Sequence, residues 1–389
     1  MYPRKMAGRL KWLATKYPVV TVTGPRQSGK TTLVCQTFPD KAYANLEELD
    51  IRALAEQDPR EFLKRYPDGA ILDEIQLAPQ LLSYIQVLVD QADREGMFIL
   101  TGSHELQLHQ SITQSLAGRT ALLQLLPMSL DELQEAGIEL TLEEALLTGG
   151  YPRIYRKQLE PAQTYRDYVQ TYLERDLRHL VNIKELGLFQ RFLGLLVGRI
   201  GQLLNASSLA DDVGVSSPTI KQWLSILEAS YLIIQLRPYF ENFGKRIVKS
   251  PKVYFTDVGL ASYLLGIETP QQLRRDPLYG SLFENLVLLE LMKERLNEGR
   301  DPRLYFFRDI AGHEVDFIYQ SGHELIPIEV KGGQTFNREF LKAPTYFQKL
   351  IGERSKAGFV IYAGEQEQKV GSLELLNYRR AAQAIGRFS

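Results

Sequence analysis

Gly24-Pro-Arg-Gln-Ser-Gly-Lys-Thr31 decides how this chain of 389 residues folds. Its spacing is G-x-x-x-x-G-K-[ST], the pattern of a phosphate-binding loop. The β-branched run Val19-Val-Thr-Val-Thr23 leads in, and a helix-compatible stretch leads out from Lys30. The chemistry requires that order. Glycines let backbone N–H groups wrap phosphate without a Cβ in the way, and a helix start adds its positive dipole. Gly24, Pro25, Arg26, Gln27, Ser28, Gly29, Lys30, Thr31 and Thr32 are therefore the expected cradle for ATP. Lys30 would reach the β- and γ-phosphates, and the Thr31 hydroxyl would ligate Mg2+. Arg26 would contact phosphate or pair with a local acid. The competing reading, a glycine-rich turn with an incidental lysine, leaves the flanking strand and helix unexplained.

Outward from the loop, short apolar runs alternate with helical patterns, as in an α/β sheet. Strands are expected at Val19–Thr23, Ala42–Leu46, Ala70–Asp73, Met97–Thr101 and Ala121–Leu126, with a helix at Leu81–Arg94. Most are continuously apolar, which fits parallel strands buried on both faces. Ala70-Ile-Leu-Asp-Glu74 ends in two acids, so a buried strand would deliver Asp73 to Mg2+ and Glu74 to the attacking water. Ser103, after the strand ending at Thr101, stands where a polar side chain meets the γ-phosphate or that water; an ordinary Gly-Ser turn is the alternative. Arg119, just before Ala121–Leu126, would lie at a subunit edge in a ring and reach a neighbour's γ-phosphate, or be a plain surface arginine. His104 and His109 are five apart and miss the i, i+4 spacing of a zinc helix.

Composition narrows the function classes. A formal net charge of −1 gives no global basic field, so nucleic acid would have to be met by a local patch. One cysteine, Cys35, allows no intrachain disulfide, and with five histidines there is no thiolate zinc cluster. The apolar runs are too short to span a bilayer, so no membrane is expected as a partner, and the location is expected to be cytoplasmic. Arg4, Lys5, Arg9 and Lys11 read as the polar face of an amphipathic first helix.

Thr148-Gly-Gly-Tyr-Pro152 breaks the strand–helix alternation, and from there to about Leu204 the pattern is helical. Asn205 to Leu236 reads as two helices hinged at Gly214-Val-Ser-Ser-Pro218, a helix-turn-helix with Ser216 or Ser217 as cap and Ile220, Trp223, Leu224 and Leu227 buried. Ser217, Thr219, Lys221 and Gln222 would stand at the end that meets DNA bases, with Lys245, Arg246, Lys249 and Lys252 in a wing gripping phosphates. A packing or dimerisation role is the alternative. Strands return at Lys252–Phe255, Leu304–Arg308, Glu314–Tyr319, Leu325–Val330 and Gly358–Tyr362, with a long helix from Ser281 to about Leu296. Alternation puts Glu329 and Lys331 on one face, Asp316 on the adjacent strand joins them, and Glu284 on the helix adds an oxygen. Such a set suits a second Mg2+ site for phosphodiester cleavage. The expected domains are a P-loop ATPase core at 1–147, a helical lid at 148–204, a winged helix-turn-helix at 205–250 and a mixed α/β, nuclease-like domain at 251–389.

These segments together resemble a bacterial and archaeal family of AAA-type ATPases with a C-terminal restriction-endonuclease-like domain of unassigned role. The resemblance rests on Thr23 to Leu33, Leu72-Asp-Glu-Ile-Gln76, Leu100-Thr-Gly-Ser103, Leu116-Ala-Gly-Arg119 and Gly149-Gly-Tyr-Pro152. It continues through Tyr172-Leu-Glu-Arg-Asp-Leu177, Val253-Tyr-Phe-Thr-Asp-Val-Gly-Leu260, Phe283-Glu-Asn285, Glu314-Val-Asp316 and Glu329-Val-Lys331. It implies ATP hydrolysis, a homo-oligomer such as a ring, and action on DNA. It draws attention to Arg153, Arg175 and Asp176 without giving them roles. Three functions fit: an ATP-driven DNA remodeller, an ATP-gated Mg2+-dependent nuclease, and a nucleotide switch acting on protein partners.

Overall fold

The structure, a computed structural model, describes residues 2–103, 115–173, 186–240 and 248–388. It divides into two compact units. The first comprises Met1–Met128 with Ala229–Tyr231 and Leu296–Arg300, and the second comprises the rest.

In the first unit, β1 (Val19–Thr23), β2 (Tyr43–Asn45), β3 (Ala70–Asp73), β4 (Phe98–Gly102) and β5 (Thr120–Gln124) form one sheet in the order β2-β3-β4-β1-β5. Every pairing is parallel. All residues of β3 and β4 are buried, because helices cover both faces. Alternation sorts their side chains between two cores. Val19, Leu72, Phe98 and Leu100 join one with Phe62 and Ile85, while Val20, Val22, Ile71 and Ile99 join the other with Leu10 and Leu33. Each large apolar side chain so buried contributes about 1.5–3 kcal/mol. A parallel sheet of this kind gathers its loops at the carboxyl ends of the strands, and there the polar residues collect. Asp73 ends β3, Thr101 stands near the end of β4, and the loop at 24–29 leaves the end of β1.

The second unit holds a mixed sheet in the order β12-β13-β11-β10-β9-β8. Its strands are β8 (Leu304–Arg308), β9 (Glu314–Ser321), β10 (Glu324–Lys331), β11 (Gly358–Tyr362), β12 (Gln368–Val370) and β13 (Leu373–Asn377). β8, β9 and β10 form an antiparallel meander; β11 runs parallel to β10 after the helix Lys342–Ile351, the crossover that parallel pairing needs. A 19-residue helix, Tyr279–Asn297, precedes the meander.

The same unit contains helices Ala206–Val213 and Ser217–Ala229, then the antiparallel pair β6 (Ile233–Leu236) and β7 (Lys252–Phe255). Gly214 closes the first helix with φ +89, and the Ser216 hydroxyl accepts the Thr219 N–H at 3.3 Å as a cap. Two helical expectations fail here. Residues 233–236 form a strand rather than a helix end, because their edge pairs with β7. The segment before Asn205 is not helical to its end either, since Ile200 and Leu203 bridge to Val253 and Lys252.

The Gly149-Gly-Tyr-Pro152 and Thr256-Asp-Val-Gly-Leu260 motifs interlock. Asp257 caps the helix Val258–Leu264 through Leu260 N–H at 3.0 Å and also accepts Gly150 N–H at 2.7 Å. Tyr165 Oη lies 2.6 Å from Asp257 and 2.8 Å from the Thr148 carbonyl. A Cβ on Gly259 would fall 2.7 Å from Gly149 N, so the close approach of the two segments requires glycine there.

Candidate functional site

The loop after β1 is built on left-handed backbone. Gln27 has φ +65 and Gly29 has φ +96, and a Cβ on Gly24 would lie 2.1 Å from the Leu125 carbonyl oxygen. Gly29 starts the helix Lys30–Thr37, whose first N–H groups are thereby aimed at the loop's concavity. Arg4 anchors the loop from outside: one Nη donates to Ser28 O and the other to Leu126 O, both at 2.7 Å. The amphipathic pattern puts Arg4 on a solvated helix face, yet it is buried. No motif flags such a clamp, because it acts on backbone.

Lys30 is 5% exposed, and its Nζ donates to the carbonyls of Gly24 at 3.0 Å and Pro25 at 2.9 Å. Burial lowers its pKa, an effect only partly offset by the nearby Glu74 and Asp73 carboxylates. The Thr31 hydroxyl lies 2.9 Å and 3.1 Å from the two Asp73 oxygens. Asp73 also accepts from Tyr43 Oη at 2.9 Å and from Thr101 Oγ1. A hydroxyl beside a buried carboxylate is the hard-oxygen donor set that Mg2+ takes, so these residues fit the ion expected from the sequence.

Glu74 sits at φ +56, ψ +49, a left-handed conformation that a non-glycine residue adopts at a cost of about 1–3 kcal/mol. That turn points its carboxylate back toward β4, where Ser103 Oγ donates to Oε2 at 2.9 Å and Gln76 Nε2 donates to the same oxygen. Its own N–H donates to Thr101 Oγ1 at 3.2 Å. Burial works to raise the Glu74 pKa, but Lys30 and the hydrogen bonds from Gln76 and Ser103 outweigh it and hold the carboxyl below its usual range. Lys30, Thr31, Asp73, Glu74 and Ser103 are thus brought together, and Tyr43, Thr101 and Gln76 join them unforeseen. Ser28 Oγ is buried in the same loop without a hydrogen-bond partner. Arg26 instead reaches Glu47, at 3.7 Å.

Arg119 is not at this site in its own chain. Its carbonyl accepts the Val19 N–H at the opposite end of β1, about 16 Å from the loop at a strand rise of about 3.3 Å per residue. Its guanidinium grips Asp90 with two bonds, at 2.5 and 2.8 Å.

In the second unit a separate acidic cluster forms where the helix Tyr279–Asn297 meets β9 and β10. Lys331 Nζ lies 2.6 Å from Glu329 Oε1 and 4.0 Å from Asp316 Oδ2, which also accepts Val330 N–H at 2.8 Å. Glu284 Oε1 accepts from Tyr254 Oη at 2.5 Å and Lys252 Nζ at 3.2 Å. Burial first, then the charge of Asp316, pushes Glu284 up to about 7 and Glu329 up to about 8. Among the described residues, no three His, Cys, Asp or Glu side chains converge in a geometry that would hold a metal ion. Lys252, expected among the wing cations, is instead buried on β7 against Glu284 and Glu314, because acids far along the chain draw its charge inward. Neither it nor Tyr254 was foreseen in this cluster, since both lie thirty or more residues before the first acid.

Ser217, Thr219, Lys221 and Gln222 occupy the first turns of the helix Ser217–Ala229, with Lys221, Gln222 and also Lys249 exposed. Lys245 and Arg246 lie outside the described residues, as do His104, His109, Arg175 and Asp176. Arg153 is exposed in the first turn of the helix Pro152–Lys157. No helix among the described residues is long and apolar enough to cross a membrane.

Residues 16–134 match the model of an AAA domain. Residues 139–271 and 279–380 match two domains of unknown function, DUF8612 and DUF4143. Over 338 residues the chain is 32% identical to the uncharacterized protein Rv2008c of Mycobacterium tuberculosis, covering 85% of this chain and 74% of that protein. The uncharacterized protein Mb2031c of Mycobacterium bovis matches with the same figures. Among solved structures, the Walker-type ATPase PABY2304 of Pyrococcus abyssi is similar at a TM-score of 0.46 and 16% identity, covering 68% of this chain and 96% of that one. A RuvB variant of Thermotoga maritima is similar at a TM-score of 0.29 and 19% identity, covering 59% and 87%. This chain belongs to the family of the two mycobacterial proteins and carries, at residues 16–134, a P-loop domain of the AAA type.

Proposed function

We propose that the chain hydrolyses ATP and uses the cycle, as a homo-oligomer, to act on DNA. The observation that carries the hydrolytic part is the convergence of Lys30, the Thr31–Asp73 pair and the oriented Glu74 at one sheet edge. Thr31 and Asp73 would hold Mg2+, which would supply charge neutralisation at the phosphates. Lys30 presents a buried positive charge to phosphate oxygens. Glu74, kept ionised and aimed by Ser103 and Gln76, accepts the proton of an attacking water. Alanine at Lys30 abolishes turnover on this reading, and retained turnover in that variant refutes it.

Arg119 bears on assembly. Lying at the far end of β1, it serves a γ-phosphate only if that phosphate belongs to another subunit, and Asp90 holds it meanwhile. An equimolar mixture of Lys30→Ala and Arg119→Ala chains then regains activity that neither has alone. A strictly additive mixture counts against a shared site.

For DNA, the reading rests on the helix pair at 206–229 followed by β6 and β7, which we interpret as a winged helix-turn-helix presenting Lys221, Gln222 and Lys249. ATPase rates measured with linear, single-stranded and four-way-junction DNA test it; rates indifferent to all three favour a switch acting on proteins. A second reading, Mg2+-dependent phosphodiester cleavage by a nuclease-like C-terminal domain, is favoured by the grouping of Glu284, Asp316, Glu329 and Lys331 on a helix and an antiparallel meander. It predicts cleavage lost in Asp316→Ala and Glu329→Ala, and substrates left intact by the parent chain oppose it.

A further inference from the structure

Lys252 enters the acidic cluster from outside the sheet that carries the acids. It opens β7, all four of whose residues are buried and which is paired to β6 and bridged to Leu203. The Lys252 side chain is 3% exposed. Its Nζ lies 3.2 Å from Glu284 Oε1 and 2.5 Å from Glu314 Oε1, while Arg308 holds the other Glu314 oxygen at 2.9 Å. Tyr254, on the same face of β7 by strand alternation, donates to the Glu284 oxygen that Lys252 also contacts.

The opposite side of the cluster is less satisfied. Lys331 takes Glu329 Oε1, whereas Glu329 Oε2 is buried with no hydrogen-bond partner, in a residue only 6% exposed. A buried carboxylate oxygen without a partner is costly and marks a place where a cation would be favourable. A divalent ion takes oxygen ligands at about 2.0–2.6 Å, Mg2+ commonly through one or two carboxylates with water completing the shell, and a further carboxylate tightens the hold. Glu284 is close enough for its charge to act on Glu329 and for that of Asp316 to act on it, and its Oε1 is already shared by an ammonium and a phenol.

We propose that Lys252 is an internal competitor for a divalent cation, its ammonium holding Glu284 away from a site that Asp316 and Glu329 begin. This rests on reading the acidic cluster as a cation site. A purely structural Lys252 would stabilise the fold without altering cation binding, and the two roles separate experimentally. Because β7 is fixed on both edges, the ammonium cannot step aside as a surface lysine would. The cluster in the parent chain therefore takes Mg2+ and Mn2+ more weakly than its acids alone would.

The test titrates Mn2+, followed by electron paramagnetic resonance, into the full nucleotide-free chain carrying Asp73→Ala to silence the phosphate loop. Lys252→Met in that background binds one Mn2+ at least tenfold more tightly than the background chain, and Mn2+ raises its thermal midpoint. Adding Glu329→Gln removes both effects. Lys252→Gln, neutral but able to hydrogen-bond, gives the same comparison if the methionine variant does not fold. Equal affinity with and without Lys252, still lost on Glu329→Gln, overturns the competitor and spares the cation site. No Glu329-dependent Mn2+ binding in any variant overturns both.

Discussion

Asp257→Ala separates packing from chemistry in a motif that family resemblance alone would tempt one to call catalytic. The carboxylate is 2% exposed and meets three donors: Gly150 N–H at 2.7 Å, Leu260 N–H at 3.0 Å and Tyr165 Oη at 2.6 Å. Tyr165 loses little on truncation, since its hydroxyl already lies 2.8 Å from the Thr148 carbonyl. The two backbone N–H groups have no such alternative. Each forfeits a charge-assisted bond worth about 1.5–3 kcal/mol, and the loss at Leu260 also removes a helix cap. Allowing for overlap between neighbours, the second unit loses about 4 kcal/mol. The chain has two tryptophans, exposed Trp12 in the first unit and buried Trp223 in the second. In a Trp12→Phe background, Trp223 fluorescence therefore reports unfolding of the second unit by urea. With m of about 2–3 kcal/mol/M, the midpoint falls by about 1.3–2 M. Nucleotide affinity, held by the first unit, stays the same. An unchanged midpoint with a collapse in ATP turnover would refute the packing argument and place Asp257 in the chemistry.

If Glu74 accepts the water's proton as proposed, Glu74→Gln removes that acceptor and keeps its shape, so turnover falls by about 10²–10⁴-fold while nucleotide binding by calorimetry is retained; equal loss of both contradicts the role. Gly24→Ala drives a Cβ to 2.1 Å from the Leu125 carbonyl at a φ of +145, and the displaced loop binds ATP at least about tenfold more weakly; an unchanged Kd shows that the loop tolerates the shift. Glu329→Gln tests the acidic cluster's pH response, measured by thermal melts in EDTA. The folded pKa of Glu329, about 8, lies above its unfolded value, so the folded state binds the extra proton. Its contribution to stability is full below about pH 4.5 and is lost as pH rises through 8. Burial opposes the Lys331 ammonium too, but the Asp316 and Glu329 carboxylates together outweigh it and raise its pKa, so the additional negative charge is what stays uncompensated. The glutamine variant is accordingly about 1–3 kcal/mol more stable than the parent at pH 9 and little changed at pH 5; a parent with no such pH slope removes the argument.

How legible each part is follows from the range of the interaction that fixes it. β1, β3 and β7 are readable because their apolar or β-branched runs must be buried wherever the chain goes. Gly24 to Thr31 is readable because a phosphate cradle constrains the backbone at fixed spacing. Residues 233–236 read as a helix end because Ile-Ile-Gln-Leu is a short apolar run whose state is decided by a partner strand sixteen or more residues away. β12 and β13 escape the sequence for the same reason, being short edge-side strands with weak local preference. Tyr43 and Thr101 become visible only when β2 and β4 are set on either side of β3, since each reaches Asp73 across a strand pairing. Arg119 is legible as an arginine before a strand, but its distance from its own phosphate loop needs the register of β5 against β1.

Two buried lysines show what the sequence cannot distinguish. Lys30 and Lys252 are both almost wholly enclosed, and burial works against both charges. Around Lys30 the direct partners are neutral carbonyls, the carboxylates stand farther off, and burial prevails. Around Lys252 the carboxylates of Glu284 and Glu314 are in contact, and they raise its pKa well past the usual value. A buried ammonium bonded only to carbonyls gains most from an arriving anion, whereas one saturated by carboxylates gains nothing and instead repels any second cation. The first environment suits a receptor for polyphosphate, and the second suits a stopper in an acidic site. Spacing of glycines announces the first. Nothing local announces the second, because its partners belong to a helix and a strand that follow it by more than thirty residues.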